Sequence, residues 1–433
     1  MGVWKIGEAG VVLTLMAQVP AMHPPSPLAP HRVLTLLGHS YTIVAFTIWP
    51  YPLSHLISLQ VLTGRADGNA VLNEPGNYSQ NGAKRQTTDL TMEAQRTILV
   101  VGATGKQGRS TIKYLLDPDQ QAPQGTKFKV LALTRDTSSP SARQLLERNK
   151  QHASRIDLVQ GDLEKPESIR KIFQNAASPD GHGIWGVFVA LAYPGLGESA
   201  AGEIRQGKLL ADLALEFRVE VFVYSSAIQV GPTEDDHLDN SHRAKPQIED
   251  YCKELGSQGM NWIIIRPGFF MENFDGLVGA LAVSVMRAGL GKDTTLNLVA
   301  SDDIGRVAAG VLRHHDKYLC KTLSITSEAA TMESISESYK RATGRPIPAA
   351  PTLVGKALLK LNAATQNLMI EMKRAHEARA NGQENGLESE IELARSVCKL
   401  QTFYEWKSSK KDHTTTDQNW NKVSLAKLIT GRS

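Results

Sequence analysis

Three glycines, Gly102, Gly105 and Gly108, recur every third residue in Gly102-Ala103-Thr104-Gly105-Lys106-Gln107-Gly108. They follow a short apolar, β-branched run (residues 97–101, TILVV) and precede a segment with helical character (residues 109–116). At a strand-to-helix junction such glycines permit a tight turn, admit a pyrophosphate to backbone N–H groups, and let helix and strand pack closely. The anion then lies at the positive end of the helix dipole. The chemistry implied is dinucleotide binding. A second strand, residues 129–134, ends in Thr134-Arg135-Asp136. An acidic side chain there would hold the ribose hydroxyls of NAD, whereas an arginine suits the extra phosphate of NADP. Arg135 comes first after the strand, which favours NADP over NAD. The alternative puts Asp136 on the ribose and leaves Arg135 solvated.

The frame that must position these residues is legible as alternation. Strands are expected at 97–101, 129–134, 155–160, 186–190, 219–224 and 261–266, and helices at 109–116, 141–150, 166–176, 198–217 and 245–257. Strands separated by helix-length segments form βαβ units, so the fold class is α/β, a Rossmann-type doubly wound parallel sheet. Beyond residue 327 helices dominate (332–343, 351–381, 388–400) and are read as a smaller, mainly helical substrate domain. The expected organisation is 92–327, nucleotide domain with part of the substrate lobe; 328–408, its helical continuation; and 409–433, a polar tail.

Residues 1–91 differ from the rest. Arg32 is the only charged side chain from Ala9 to Gly64, and seven of the chain's 20 prolines fall there. The stretch 33–64 is long enough to span a bilayer, but His39, Ser40, Pro50, Pro52 and His55 interrupt it and no basic cluster flanks it. A signal peptide is spoiled by Glu8 and by the lack of a clean cleavage site. The favoured reading is an unstructured extension, or sequence upstream of a true start at Met92; membrane attachment through 33–64 is the alternative.

Composition narrows the function classes. With 41% hydrophobic residues, and 48 Lys+Arg against 44 Asp+Glu, the chain is globular and nearly charge-balanced. It shows no clustered basic face, so direct nucleic-acid binding is not expected. Cys252, Cys320 and Cys398 lie far apart without metal-ligand spacing, and the adjacent His314 and His315 would point to different sides of a helix. No metal site is expected, and a reducing, cytoplasmic setting is the natural one.

Several further motifs stand at matching separations: Val159-Gln160-Gly161-Asp162-Leu163, Gln206 to Asp212 (QGKLLAD), Tyr224-Ser225-Ser226-Ala227, Arg266 to Phe274 (RPGFFMENF), Ser301 to Gly305 (SDDIG) and Thr402 to Trp406 (TFYEW). Together with the glycine loop they resemble the NmrA-like family, a branch of the atypical short-chain dehydrogenase/reductases, over roughly residues 96–406. The resemblance implies a Rossmann domain, a C-terminal substrate lobe and a cleft between them. It places Gly102 to Gln107 on the pyrophosphate, Arg135 on the 2′-phosphate, Asp162 and Leu163 at the adenine, and Leu191, Ala192 and Tyr193 along the pocket. It brings Lys245 to the nicotinamide ribose, and Phe270, Met271, Glu272 and Asn273 over the nicotinamide. Core packing is the alternative for the segment Phe269-Phe270-Met271.

Typical short-chain dehydrogenases place a tyrosine four residues before the lysine, and the pair exchanges a proton as hydride moves. Here that position is Ser241, and His242, a residue type found there in many family members, stands one residue late. In a helix one residue is a turn of about 100°. Two functions follow. One is an NADP(H)-binding redox sensor with little turnover, acting through a protein partner such as a transcription factor in the cytoplasm or nucleus. The other is an NADPH-dependent reductase of the isoflavone-reductase type, with Lys245 as its catalytic acid–base group.

Overall fold

A computed structural model describes residues 95–117, 127–177, 183–192, 199–228, 240–382 and 386–410, together with two strands nearer the N-terminus. The chain divides into two compact units, Met1–Thr88 and Asp89–Ser433. In the first, β1 (Ser40–Thr47) and β2 (Ser58–Arg65) pair antiparallel, from Ser40 opposite Arg65 to Thr47 opposite Ser58. Their β-branched content (Thr42-Ile43-Val44, Val61-Leu62-Thr63) suits an extended backbone. Among the described residues no helix is long and apolar enough to cross a membrane.

The second unit begins with β3 (Arg96–Val101), α1 (Lys106–Leu116), β4 (Phe128–Thr134), α2 (Pro140–Arg148), β5 (Ile156–Gln160), α3 (Pro166–Ala176) and β6 (Gly186–Val189). It continues through α4 (Ala201–Glu216), β7 (Val221–Ser225), α5 (Asn240–Gly256), β8 (Trp262–Pro267), β9 (Phe269–Phe270), α6 (Gly276–Gly289), β10 (Thr295–Val299) and α7 (Ser301–Arg313). After β11 (Lys321–Ile325) and β12 (Glu328–Thr331) come α8 (Met332–Thr343), α9 (Thr352–Leu361), α10 (Ala363–Ala380), α11 (Leu387–Val397) and α12 (Phe403–Ser409).

Seven strands form one parallel sheet in the order β11-β8-β7-β6-β3-β4-β5. Because helices cover both faces, successive residues of a strand enter opposite cores. Ile98 and Val100 join α1 and α7 residues such as Ile112 and Val307, while Leu99 and Val101 join Phe173, Leu210 and Ile248 from α3, α4 and α5. Such strands read as continuous apolar runs, which is why the sequence announces them. Chain direction across the sheet reverses between β3 and β6, and that crevice is where ligands of doubly wound sheets bind.

The C-terminal lobe carries the expected helical character, in α8 to α12. It holds a second sheet, β12-β10-β9, with β10 antiparallel to β12 and parallel to β9. The expected helix 351–381 is two helices broken at Asn362, whose side chain accepts from the Thr365 N–H at 2.9 Å and caps α10. A third core, with Met271, Phe274, Leu298, Ile335, Phe403 and Trp406, fills the lobe.

Candidate nucleotide-binding site

The glycine loop lies at the switch point, beside the end of β6. Gly102 has φ +78°, and a Cβ there would overlap the Ala190 carbonyl oxygen. Gly108, in the first turn of α1, leaves no room either: a Cβ would lie 2.7 Å from the Gly102 carbonyl carbon and 2.8 Å from Ala103 Cα. Gly105 differs from expectation. It is the N-cap of α1 with φ −78° and ψ 172°, extended backbone open to any residue, and its nearest obstacle is the Gly102 oxygen at 3.2 Å. The left-handed turn is therefore made by Gly102.

The end of α1 suits an anion. Ser139, Thr331 and Thr402 cap α2, α8 and α12 through their side chains, but α1 has no side-chain cap and no acidic residue in its first turn. Its first N–H groups are left for a ligand. Lys106 opens the helix half-buried, and burial pushes its pKa down to about 8 against the pull of Glu272 and Asp275. Gln107 ties the loop to the neighbouring strand end, accepting from the Ser225 hydroxyl at 2.6 Å. Gly102, Ala103, Thr104, Gly105, Lys106, Gln107 and Gly108 thus form a backbone cradle that fits a pyrophosphate.

Arg135 is exposed at the end of β4, with no side-chain partner among the described residues. The Asp136 carboxylate already accepts from the Ser138 N–H at 2.8 Å and the Ser138 hydroxyl at 2.6 Å, and these bonds hold its pKa below the usual value. Asp162 follows β5 and accepts from the Glu164 N–H at 3.1 Å, while half-buried Leu163 packs along the second core. Leu191 is buried beyond β6, Ala192 is exposed, and Tyr193 lies outside the described residues.

Helix α5 already begins at Asn240, so the backbone between Ser241 and Lys245 is helical. Lys245 does not stand open in the cleft: its Nζ donates to Glu203 Oε1 at 2.9 Å, with the lysine side chain 18% and the glutamate 2% exposed. Glu203, on α4, drew no notice in the sequence because a glutamate in a helix usually reads as solvated. Tyr224, on β7, is fully buried, its hydroxyl without a hydrogen-bond partner among the described residues, and burial above all, then Glu203 and Glu249, raises its pKa well above normal.

The segment expected over the nicotinamide divides. Phe270 and Asn273 are half-buried, and Phe270 packs on the first core together with Ala190. The Met271 side chain is instead sealed within the third core. The Glu272 carboxylate is buried and accepts from the Ser301 hydroxyl at 2.7 Å and N–H at 3.0 Å, joining this segment to the start of α7. Both side chains therefore hold the lobe together, and the Glu272 charge is also felt by Lys106 of the glycine loop.

The remaining motifs are fasteners. Asp302 accepts from the Tyr114 hydroxyl at 2.5 Å and from Lys113 at 3.1 Å, clasping α7 to α1. Buried Asp303 accepts from the Gln401 N–H at 2.7 Å, just before the capping box of Thr402 and Glu405. Phe403 then meets Phe274 edge-on at 5.5 Å, so the aromatic parts of RPGFFMENF and TFYEW form one cluster. Lys407 and Lys410, which no sequence motif singled out, both donate to Asp275, at 2.9 and 2.7 Å.

A parallel Rossmann-type sheet with a glycine-lined, uncapped helix N-terminus at its switch point is the architecture of the dinucleotide-fold class. Within that class, the model of the NmrA-like family matches residues 94–407, and the chain belongs to this family. It is 28% identical over 284 residues to the NmrA-like family domain-containing oxidoreductase ptmS of Penicillium ochrochloron, covering 60% of this chain and 77% of that protein. Another oxidoreductase of the family, cpsB of Aspergillus campestris, is 27% identical over 276 residues, with 59% and 75% covered. Among solved structures, NmrA, a negative transcriptional regulator, in complex with NAD superposes with a TM-score of 0.52 at 20% identity, covering 73% of this chain and 95% of NmrA.

Proposed function

We propose that this chain binds NADP(H) in the glycine-loop cleft and reports its redox state to a protein partner such as a transcription factor, with little turnover of its own. The cofactor assignment is supported by the loop geometry and by NmrA, whose structures include complexes with NAD and with NADP. Arg135 is the free side chain at the ribose end, while Asp136 is engaged by Ser138, which favours NADP. In this reading Gly102 to Gly108 take the pyrophosphate, Asp162 and Leu163 border the adenine, and Leu191 to Tyr193 border the pocket. Lys245 reaches the nicotinamide ribose, with Phe270 and Asn273 beside the ring.

The observation that carries the regulatory reading is the setting of Lys245. Its partner is a buried carboxylate, and Ser241 stands where a reductase would place its tyrosine. Tyr224 is enclosed, with its proton held more tightly than usual, and makes a poor donor to a substrate. The second reading, a Lys245-dependent NADPH reductase, draws support from the relatives called oxidoreductases. Calorimetric titration with NADP⁺, NADPH and NAD⁺, beside an assay of NADPH consumption with quinones, enones and carbonyls, separates the two. A regulator binds NADP(H) in preference to NAD and consumes almost none. Rapid consumption, lost in Lys245→Ala with cofactor saturating, would establish the reductase.

A further inference from the structure

Glu203 is a buried carboxylate that neither the glycine loop nor the motifs account for. It lies in the first turn of α4, is 4% exposed, and spends one oxygen on Lys245 while Oε2 has no hydrogen-bond partner among the described residues. A buried carboxylate is costly unless its position is useful, because removal from water outweighs much of what an ion pair returns. The spacing that brings it to Lys245 is built one turn further along both helices. There a Cβ on Gly207 would lie 2.6–2.9 Å from three side-chain atoms of Ile248, so the missing side chain lets α5 press against α4. Glu203 precedes Gly207 by four residues and Lys245 precedes Ile248 by three, which puts each on its helix's contact face. The QGK motif is in this sense the hinge pin of the ion pair.

We propose that Glu203 is a positioning residue of the cofactor site. It fixes Lys245 through one ammonium hydrogen and leaves the other two to donate to the ligand. The proposal rests on the reading that Lys245 touches the cofactor ribose. Tyr224 on β7 feels the charge of Glu203 and also that of Glu249 on α5. Arg266 donates to Glu249 at 2.5 Å, so that second buried carboxylate is already matched and does not compete for Lys245.

The test is a double-mutant cycle on the full chain, read as NADPH affinity, with thermal unfolding to verify that each variant is folded. Glu203→Ala and Lys245→Ala are each expected to weaken NADPH binding roughly tenfold, the scale of one charge-assisted hydrogen bond. The double variant should bind no more weakly than Lys245→Ala alone, because Glu203 acts only through the lysine. Glu203→Gln keeps an acceptor oxygen and should lose only about threefold, and it serves for the same cycle if the alanine variant does not fold. Losses that multiply in the double variant would show a structural role and overturn the proposal. So would unchanged affinity in both Glu203 variants while Lys245→Ala loses it. Unchanged affinity in folded Lys245→Ala would instead remove the lysine from the cofactor site, and the proposal would fall with that reading.

Discussion

Gly102 and Ala190 meet backbone to backbone: the left-handed turn after β3 closes directly against the carbonyl that leaves β6. Two neighbouring strands of the sheet are thus joined at the crevice by a contact that tolerates no side chain. The pattern of three glycines conceals this inequality. Gly102→Ala should unfold or strongly destabilise the domain and abolish nucleotide binding, since both its φ and its surroundings exclude a Cβ. Gly105→Ala should fold normally and keep most of its affinity. Thermal melts and NADP titrations of both variants check this, and equal damage from the two would refute the assignment of the turn to Gly102.

Arg135→Ala is expected to weaken NADP binding by roughly tenfold to a hundredfold, the range for a charge-assisted hydrogen bond to phosphate. NAD affinity should barely change, because NAD carries no phosphate there. Parallel calorimetry with the two cofactors gives the ratio, and equal losses would assign Arg135 a general role.

Lys245→Ala should also cost stability, not affinity alone. It strands the Glu203 carboxylate in the interior, and breaking a buried pair in this way typically costs about 3–5 kcal/mol. Adding Glu203→Gln to Lys245→Ala should restore part of the loss. Urea unfolding of the single and double variants measures it, and a double variant less stable than Lys245→Ala would contradict the buried-pair argument.

The clasp between α1 and α7 should be acid-sensitive. Burial opposes the charge of Asp302, but the Tyr114 hydrogen bond and Lys113 outweigh it and hold its pKa below the ordinary 3.8. A carboxylate with a depressed folded-state pKa contributes stability in full above its unfolded value and loses it as pH falls through the folded one. Asp302→Asn should therefore be less stable than wild type at neutral pH, and the gap should narrow at a pH below the ordinary 3.8. A gap of the same size at both pH values would rule out charge as its origin.

Removing residues 1–88 should leave a folded protein with unchanged NADP affinity, because every described strand of the parallel sheet and the whole glycine loop lie within Asp89–Ser433. Loss of affinity in the truncated chain would show that the first unit takes part in the site.

The parallel sheet was legible in the sequence because strands buried on both faces must be apolar throughout, as in the segments 97–101 and 186–190. The second sheet was not: β9 has two residues, and β10 alternates Leu296 and Leu298 with polar Thr295 and Asn297 in a pattern too short to register. Within the site, residue types were readable and pairings were not. Lys245 stood out, but its partner is 42 residues away on another helix, and the packing of α4 on α5, with Gly207 against Ile248, brings the two together. The burial of Met271 in the third core and the bonds of Glu272 to Ser301 were equally unreadable, because both depend on elements distant in sequence.

The chain carries its own optical reporter. Lys410 Nζ rests 4.0 Å above the indole of Trp406, and its charge is also felt by Lys106 at the mouth of the glycine loop. A cation poised over an indole tunes its emission through the same quadrupole that attracts it. An anion held at the loop would feel that cation's charge, and the expected outcome is a change in tryptophan fluorescence on nucleotide binding. With six tryptophans in the chain, subtracting the signal of Trp406→Phe isolates this one, giving a label-free readout of the cleft.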